Sequence, residues 1–101
     1  MLGLIGLGVR GRLAVVGVER VREAAMKHKL VMAFVAPDAS RHSLDKIVPL
    51  LDARRVRYVR GPGAAMLGRA VGRDTTAAVG IVDRQLAKGI RALLVDMRRV
   101  E

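Results

Sequence analysis

Near the start of the chain, three glycines stand at a spacing that could do chemistry. Gly6, Gly8 and Gly11, in MLGLIGLGVRG, spell G-x-G-x-x-G. In that pattern a strand turns tightly into a helix and backbone N–H groups close on a dinucleotide pyrophosphate. The chemistry needs a strand running into the glycines, and five residues precede Gly6. It also needs a carboxylate about 20 positions further on to hold a ribose. Residues 30–36, LVMAFVA, contain none. The stretch is therefore expected to be the first helix, over residues 1–9, with its glycines as small residues at a close-packed surface.

Other reactive types are sparse. Asp38, Asp45, Asp52 and Asp74 are scattered, without paired-carboxylate or triad spacing. His28 falls at the end of an apolar helical stripe and is expected to be structural; His42, beside Arg41, is expected to be exposed. With no cysteine there is no thiol chemistry, disulfide or thiolate metal site. No enzyme activity, cofactor or metal is expected.

Charge says more. Nineteen basic residues face nine acidic ones across 101 residues, a net of +10, and only four of the cations are lysines. Arginine's planar fork suits phosphates and guanine edges, so a nucleic acid is the natural partner. The alternative is that arginine richness follows genome composition or a hot habitat, with the charges merely solvated. Phe34 and Tyr58 are the only aromatics. A stacking platform for single strands is therefore not expected, and recognition of RNA shape by helix ends and loops is.

These residues must be positioned by a small core of Val, Leu, Ile, Ala and Met. Met26, Met32, Met66 and Met97 read as core fillers or surface residues. Residues 13–16 can form a short strand ended by Gly17. From Val18 the apolar positions Val18, Val21, Ala25 and His28 keep helical spacing. LVMAFVA reads as a strand buried on both faces. Residues 37–40, PDAS, signal a helix start with Asp38 or Ser40 as cap. That helix buries Leu44, Ile47, Val48 and Leu51 and contains Pro49, which removes one backbone donor and should kink the helix.

Residues 56–60 form a third strand, 61–63 a loop, 64–71 a small-residue helix ended by Gly72, and 77–82 a fourth strand. Asp83 caps a last helix that buries Leu86, Ile90, Leu93 and Leu94. Alternating strands and helices predict an α/β fold with helices on both faces of a mixed sheet. The apolar start is too short to span a bilayer and lacks the preceding basic residue of a secretory signal, so a cytoplasmic protein is expected.

The order Gly17, then AFVAPDAS, then IVPLLDARRVRYV, then LGRAVGRDTTAAVGIVD resembles the kink-turn RNA-binding ribosomal-protein family. That family includes the archaeal L-seven-Ae and eukaryotic L-thirty-e types and small bacterial YlxQ-like members, which this chain resembles most. The similarity covers nearly the whole chain. Its most specific pieces are LGRAVG and the in-helix proline of IVPLL. The resemblance implies a three-layer α-β-α sandwich around a four-stranded mixed sheet, one domain over residues 1–101. It also implies a monomeric, non-enzymatic, ribosome-associated protein whose partner is structured RNA, ribosomal RNA among the candidates.

Carried over by position, the resemblance assigns RNA contacts to three segments. The first is the helix start after Gly17, with Val18, Glu19, Arg20 and Glu23. The second is the turn holding Pro37, Asp38 and Ser40, and the third the loop holding Arg73, Asp74 and Thr75. A helix N-terminus offers N–H groups and partial positive charge to phosphate.

The family's archaeal members usually carry asparagine, glutamate and lysine where this chain has Glu19, Arg20 and Glu23. An ionised glutamate can only accept, whereas Arg20 can donate bidentately to guanine O6 and N7. RNA binding is therefore expected to survive these changes better than kink-turn specificity. If the site has been lost at Glu19 and Glu23, the same fold would serve as a protein-interaction or assembly domain. On a merely solvated helix face, Glu19–Arg22 and Arg20–Glu23 would form i,i+3 pairs worth about 0.2–0.5 kcal/mol each.

Overall fold

The computed structural model describes the backbone of residues 2–100 and the side chains of residues 3–94. Helices and strands alternate as α1 (Leu2–Arg10), β1 (Ala14–Val16), α2 (Val18–Met26), β2 (Met32–Val35), α3 (Arg41–Ala53), β3 (Arg57–Arg60), α4 (Ala64–Ala70), β4 (Ala78–Ile81) and α5 (Arg84–Val100). The expected elements are present in the expected order, and α3 is continuous through Pro49.

The strands lie in the order β1-β4-β2-β3. β2 and β3 are parallel, while β4 runs antiparallel to both β1 and β2. β1, β2 and β3 therefore all point one way. The turns that leave them gather at one end of the sheet, and the turns that enter them gather at the other.

Side chains along β2 alternate between two cores. Met32, Phe34 and Ala36 join Ile5, Leu67, Ala87 and Ile90 beneath α1, α4 and α5. Ala33 and Val35 join Val21, Ala25, Ile47 and Leu51 beneath α2 and α3. Both faces of the sheet are covered, which completes the three-layer α-β-α sandwich. The G-x-G-x-x-G stretch serves this packing. A methyl at Gly6 would lie 2.9 Å from the carbonyl oxygen of Ala70 in α4, and one at Gly8 would run into Leu86 of α5.

Three local expectations are corrected. His28 is not on an apolar helical face: α2 ends at Met26, and His28 follows in a left-handed conformation, φ 57°, with its ring exposed. In α5 the buried stripe runs through Ala87 and Ile90, which leaves Leu86 and Leu94 half-buried and Leu93 37% exposed. In α3, Ile47 and Leu51 are buried but Leu44 and Val48 only half so. Met32 is buried while Met26 and Met66 are largely exposed; Met97 lies outside the described side chains. Among the described residues no helix is long and apolar enough to cross a membrane.

Candidate nucleic-acid interface

Three sequence segments, 17–23, 37–40 and 73–75, meet at the end of the sheet where β1, β2 and β3 finish and β4 begins. The hydrogen bonds there fix the arrangement. The N–H of Gly17 donates to the carbonyl of Ala78 at 2.9 Å, and that of Ala36 to the carbonyl of Ala77 at 2.9 Å. β4 thus receives the end of β1 on one side and the end of β2 on the other.

Gly17 has φ 99° and ψ 158°, a backbone region open essentially to glycine alone. Nothing lies within 4 Å of where its Cβ would be. Backbone geometry, not crowding, requires the glycine, and it leaves clear space above the first turn of α2. Of the helices that start at this end, α3 is capped by Ser40, whose Oγ accepts the N–H of Ser43 at 3.1 Å. α4 is capped by Asp38, whose Oδ1 accepts the N–H of Ala64 at 2.8 Å. The α2 start has no side-chain cap. Its first-turn N–H groups, at Val18, Glu19 and Arg20, lack intrahelical acceptors.

Both glutamates of α2, Glu19 in its first turn and Glu23 in the next, are paired with lysines. Glu19 pairs with Lys46 of α3 at 3.3 Å, and Glu23 with Lys27 at 2.7 Å. Arg22 donates through Nη1 to the carbonyl of Lys46. The i,i+3 pairs Glu19–Arg22 and Arg20–Glu23 do not form, because each glutamate finds a lysine instead. Arg20 is exposed and, among the described residues, has no carboxylate within 4.0 Å. Lys27 beside Glu23 holds that carboxyl below its ordinary 4.5, first by its hydrogen bond and then by its charge. Val18 is half-buried and packs into the α2–α3 core.

Arg73, Asp74 and Thr75 are exposed on a braced loop. The N–H of Arg73 donates to the carbonyl of Gly68 at 2.8 Å and that of Thr76 to the carbonyl of Ala64 at 3.1 Å. A methyl at Gly68 would lie 2.6 Å from Thr75 Cα, so the loop rests directly on the α4 backbone. Within LGRAVG, Gly68 is the mid-helix glycine that faces the loop.

Sequence reasoning missed Arg41 and Arg60, which stand exposed at the same end. It also missed a cavity of about 270 Å³ beside Pro37, lined by Leu44, Val48 and Pro49 with Arg60 at its edge. The sequence marks Leu44, Val48 and Pro49 only as part of a buried helix, and Arg60 reaches this end through the parallel pairing of β3 with β2, which no local pattern marks.

This topology and these turns are those of a known class. The profile of the ribosomal protein L7Ae/L30e/S12e/Gadd45 family matches residues 5–91, and the chain belongs to that family. Among individual proteins it is similar to the RNA-binding protein YlxQ of Bacillus subtilis (strain 168). The two are 26% identical over 91 residues, which cover 90% of this chain and 91% of that protein. A Bacillus halodurans protein of unknown function superposes with a TM-score of 0.81 at 26% identity, covering 91% of this chain and 93% of that one. The Giardia lamblia 15.5kD RNA binding protein shares the fold, with a TM-score of 0.79 at 17% identity over 99% of this chain and 86% of the other.

Proposed function

We propose that the protein is a small, non-enzymatic, ribosome-associated protein that binds structured, kink-turn-like RNA through the end of the sheet described above. The observation that carries this reading is the convergence of residues 17–23, 37–40 and 73–75 around the start of α2, which unlike the starts of α3 and α4 has no side-chain cap. The uncapped N–H groups of α2 suit a phosphate. Arg20, with no carboxylate within 4.0 Å among the described residues, suits a guanine edge. The space above Gly17 admits an RNA backbone, and the Arg73–Asp74–Thr75 loop suits bases turned out of a helix. Family membership and the similarity to YlxQ, itself an RNA-binding protein, support the same reading.

The test compares a kink-turn RNA, a plain RNA duplex and a single strand over a range of salt. Affinity should fall linearly on a log–log plot with a slope set by the number of phosphates contacted. The preference for the kink-turn should widen as salt rises, because contacts made to phosphate alone fade first. A slope near zero, or equal affinity for all three RNAs at every salt concentration, would sink the proposal.

A further inference from the structure

The other end of the sheet is also built for a polyanion. Each of the three turns that enter β1, β2 and β3 closes a helix in the same way. After α1, Arg12 donates to Val9 at 3.2 Å and Leu13 to Gly8 at 2.7 Å; after α2, His28 donates to Ala25 at 3.1 Å and Lys29 to Ala24 at 2.9 Å. After α3, Arg55 donates to Asp52 at 3.1 Å and Val56 to Leu51 at 2.9 Å. These are Schellman closures, whose left-handed position usually holds glycine. Here it holds Arg12 (φ 61°), His28 (φ 57°) and Arg55 (φ 57°), which among the described residues are the non-glycines with positive φ.

Helix dipoles favour cations near helix C-termini, but this does not account for the strained positions. Lys27 and Arg54 already occupy the cap positions of α2 and α3, where the backbone is unstrained. A second bond joins two of the turns: Arg54 Nη1 lies 2.8 Å from His28 Nε2. Guanidinium can only donate, so the imidazole accepts.

Charge at the two ends differs. At the first, Arg20, Arg41, Arg60 and Arg73 share the surface with four carboxylates, Glu19, Asp38, Asp45 and Asp74. At this one, Arg12, Lys29, Arg54, Arg55 and Arg84 are exposed; among the described residues the arginines of both ends lack a carboxylate within 4.0 Å, so the difference lies in the balance of charge. The carboxylates nearby are Asp52, Asp83, which caps α5 by accepting the N–H of Leu86 at 2.8 Å, and Glu23, paired with Lys27. β1 and β3 lie three strand spacings apart, roughly 14 Å. A duplex carries on the order of eight charges over that length of its axis.

We propose that this end is a second RNA-binding surface, taking the phosphate backbone of a duplex while the opposite end holds the structured element. The proposal rests on the reading of the protein as an RNA binder. A duplex fits better than a single strand because Phe34 is buried and Tyr58 half-buried, leaving no aromatic platform for bases. The lack of an aromatic anchor also disfavours an acidic protein as the occupant.

Arg12→Gly/His28→Gly/Arg55→Gly relaxes the three turns while removing the two arginine charges, so the variant should keep its circular dichroism spectrum and melting temperature. Its Kd for a plain 16-base-pair RNA duplex at low salt should rise at least fivefold, and the salt slope should become shallower by about two. Its Kd for a short kink-turn RNA should stay within twofold. Lys29→Gln/Arg54→Gln, which removes two charges at ordinary backbone positions, should show the same split. Lys88→Gln/Arg91→Gln, on the exposed side of α5, removes equal charge and should leave duplex binding near that of the unaltered protein. Kink-turn RNA fixed to beads should retain labelled duplex only through protein with the basic end intact. Duplex binding equal to the α5 control in both basic-end variants would overturn the second surface alone. Failure of the unaltered protein to bind either RNA would overturn the proposed function, and this inference with it.

Discussion

The carboxylate of Asp38 accepts the backbone N–H of Ala64 at 2.8 Å, so the turn after β2 caps a helix that begins 26 residues later. Gly63, the N-cap position of α4, has no side chain to do this. One oxygen of Asp38 therefore faces the protein, which makes the residue a brace for the candidate interface rather than a freely presented contact. Asp38→Ala should destabilise the protein by about 1 kcal/mol, lowering the melting temperature by about 4–8 °C for a domain of this size. Asp38→Asn keeps an acceptor and should lose much less. A thermal melt followed by circular dichroism decides; an unchanged melt for Asp38→Ala would show that the cap is dispensable.

Gly68 and Gly3 predict opposite outcomes for the same substitution. A methyl at Gly68 meets the backbone of Asp74 and Thr75, whereas nothing lies within 4 Å of one at Gly3 in α1. Gly68→Ala should cost about 1–3 kcal/mol through forced movement of the loop and should weaken kink-turn RNA binding at the same time. Gly3→Ala should stabilise by about 0.5–1 kcal/mol through helix propensity and leave binding alone. Denaturant melts of the two variants, run side by side, test the pair.

Arg20 and Glu23 test the recognition helix. Arg20→Ala should cost about 1–3 kcal/mol of kink-turn affinity and relax discrimination at one base. Lys88→Ala, on exposed α5 surface, should cost far less; Arg99, near the chain end, lies outside the described side chains. Glu23→Lys reverses the charge one turn further along α2 and should tighten kink-turn binding. Equal behaviour of the two cation variants together with a neutral Glu23→Lys, measured by filter binding, would mean that this helix is a solvated face and would favour an assembly role.

Glu23 gives a pH signature. Lys27 lowers its carboxyl pKa, so the ionised form is favoured in the folded protein. The sign follows: the pair contributes at and above the ordinary carboxylate pKa and its contribution is lost as pH falls below 4.5. The pair is solvent-exposed, so the effect on stability is small. Carboxyl chemical shifts should titrate below 4.5 and return toward it in Lys27→Met. An identical titration in that variant would show that the lysine is not the cause.

Periodicity and turn residues were enough to read the nine elements, because each carries its own local signal. The Ser40 and Asp83 caps were legible for the same reason. The position of β4 was not: its residues Ala78, Val79, Gly80 and Ile81 are buried, but nothing in them says that it lies between β1 and β2 and runs against both. His28 was misplaced because the usual glycine stop after α2 is absent and a left-handed histidine takes its place. The segments of the candidate interface came from resemblance, and their bracing by Gly68 and Asp38 involves partners too distant in sequence for a local pattern to reveal.

The insertion of β4 has a consequence for synthesis. As the chain leaves the ribosome, β1 is made first, yet its sheet partner is β4, which ends at Ile81. At about 5–20 residues per second, β1 waits several seconds with no strand to pair with, while β2 and β3 can already form their parallel pair. Gly17 is fixed to Ala78 and Ala36 to Ala77, so the two sides of the candidate interface join only when that last strand slides between them. A nascent chain shorter than this holds the individual turns but not the surface they make together. The candidate interface is therefore among the last features of the domain to be completed, and on the reading proposed above an unfinished chain would lack its RNA-binding surface.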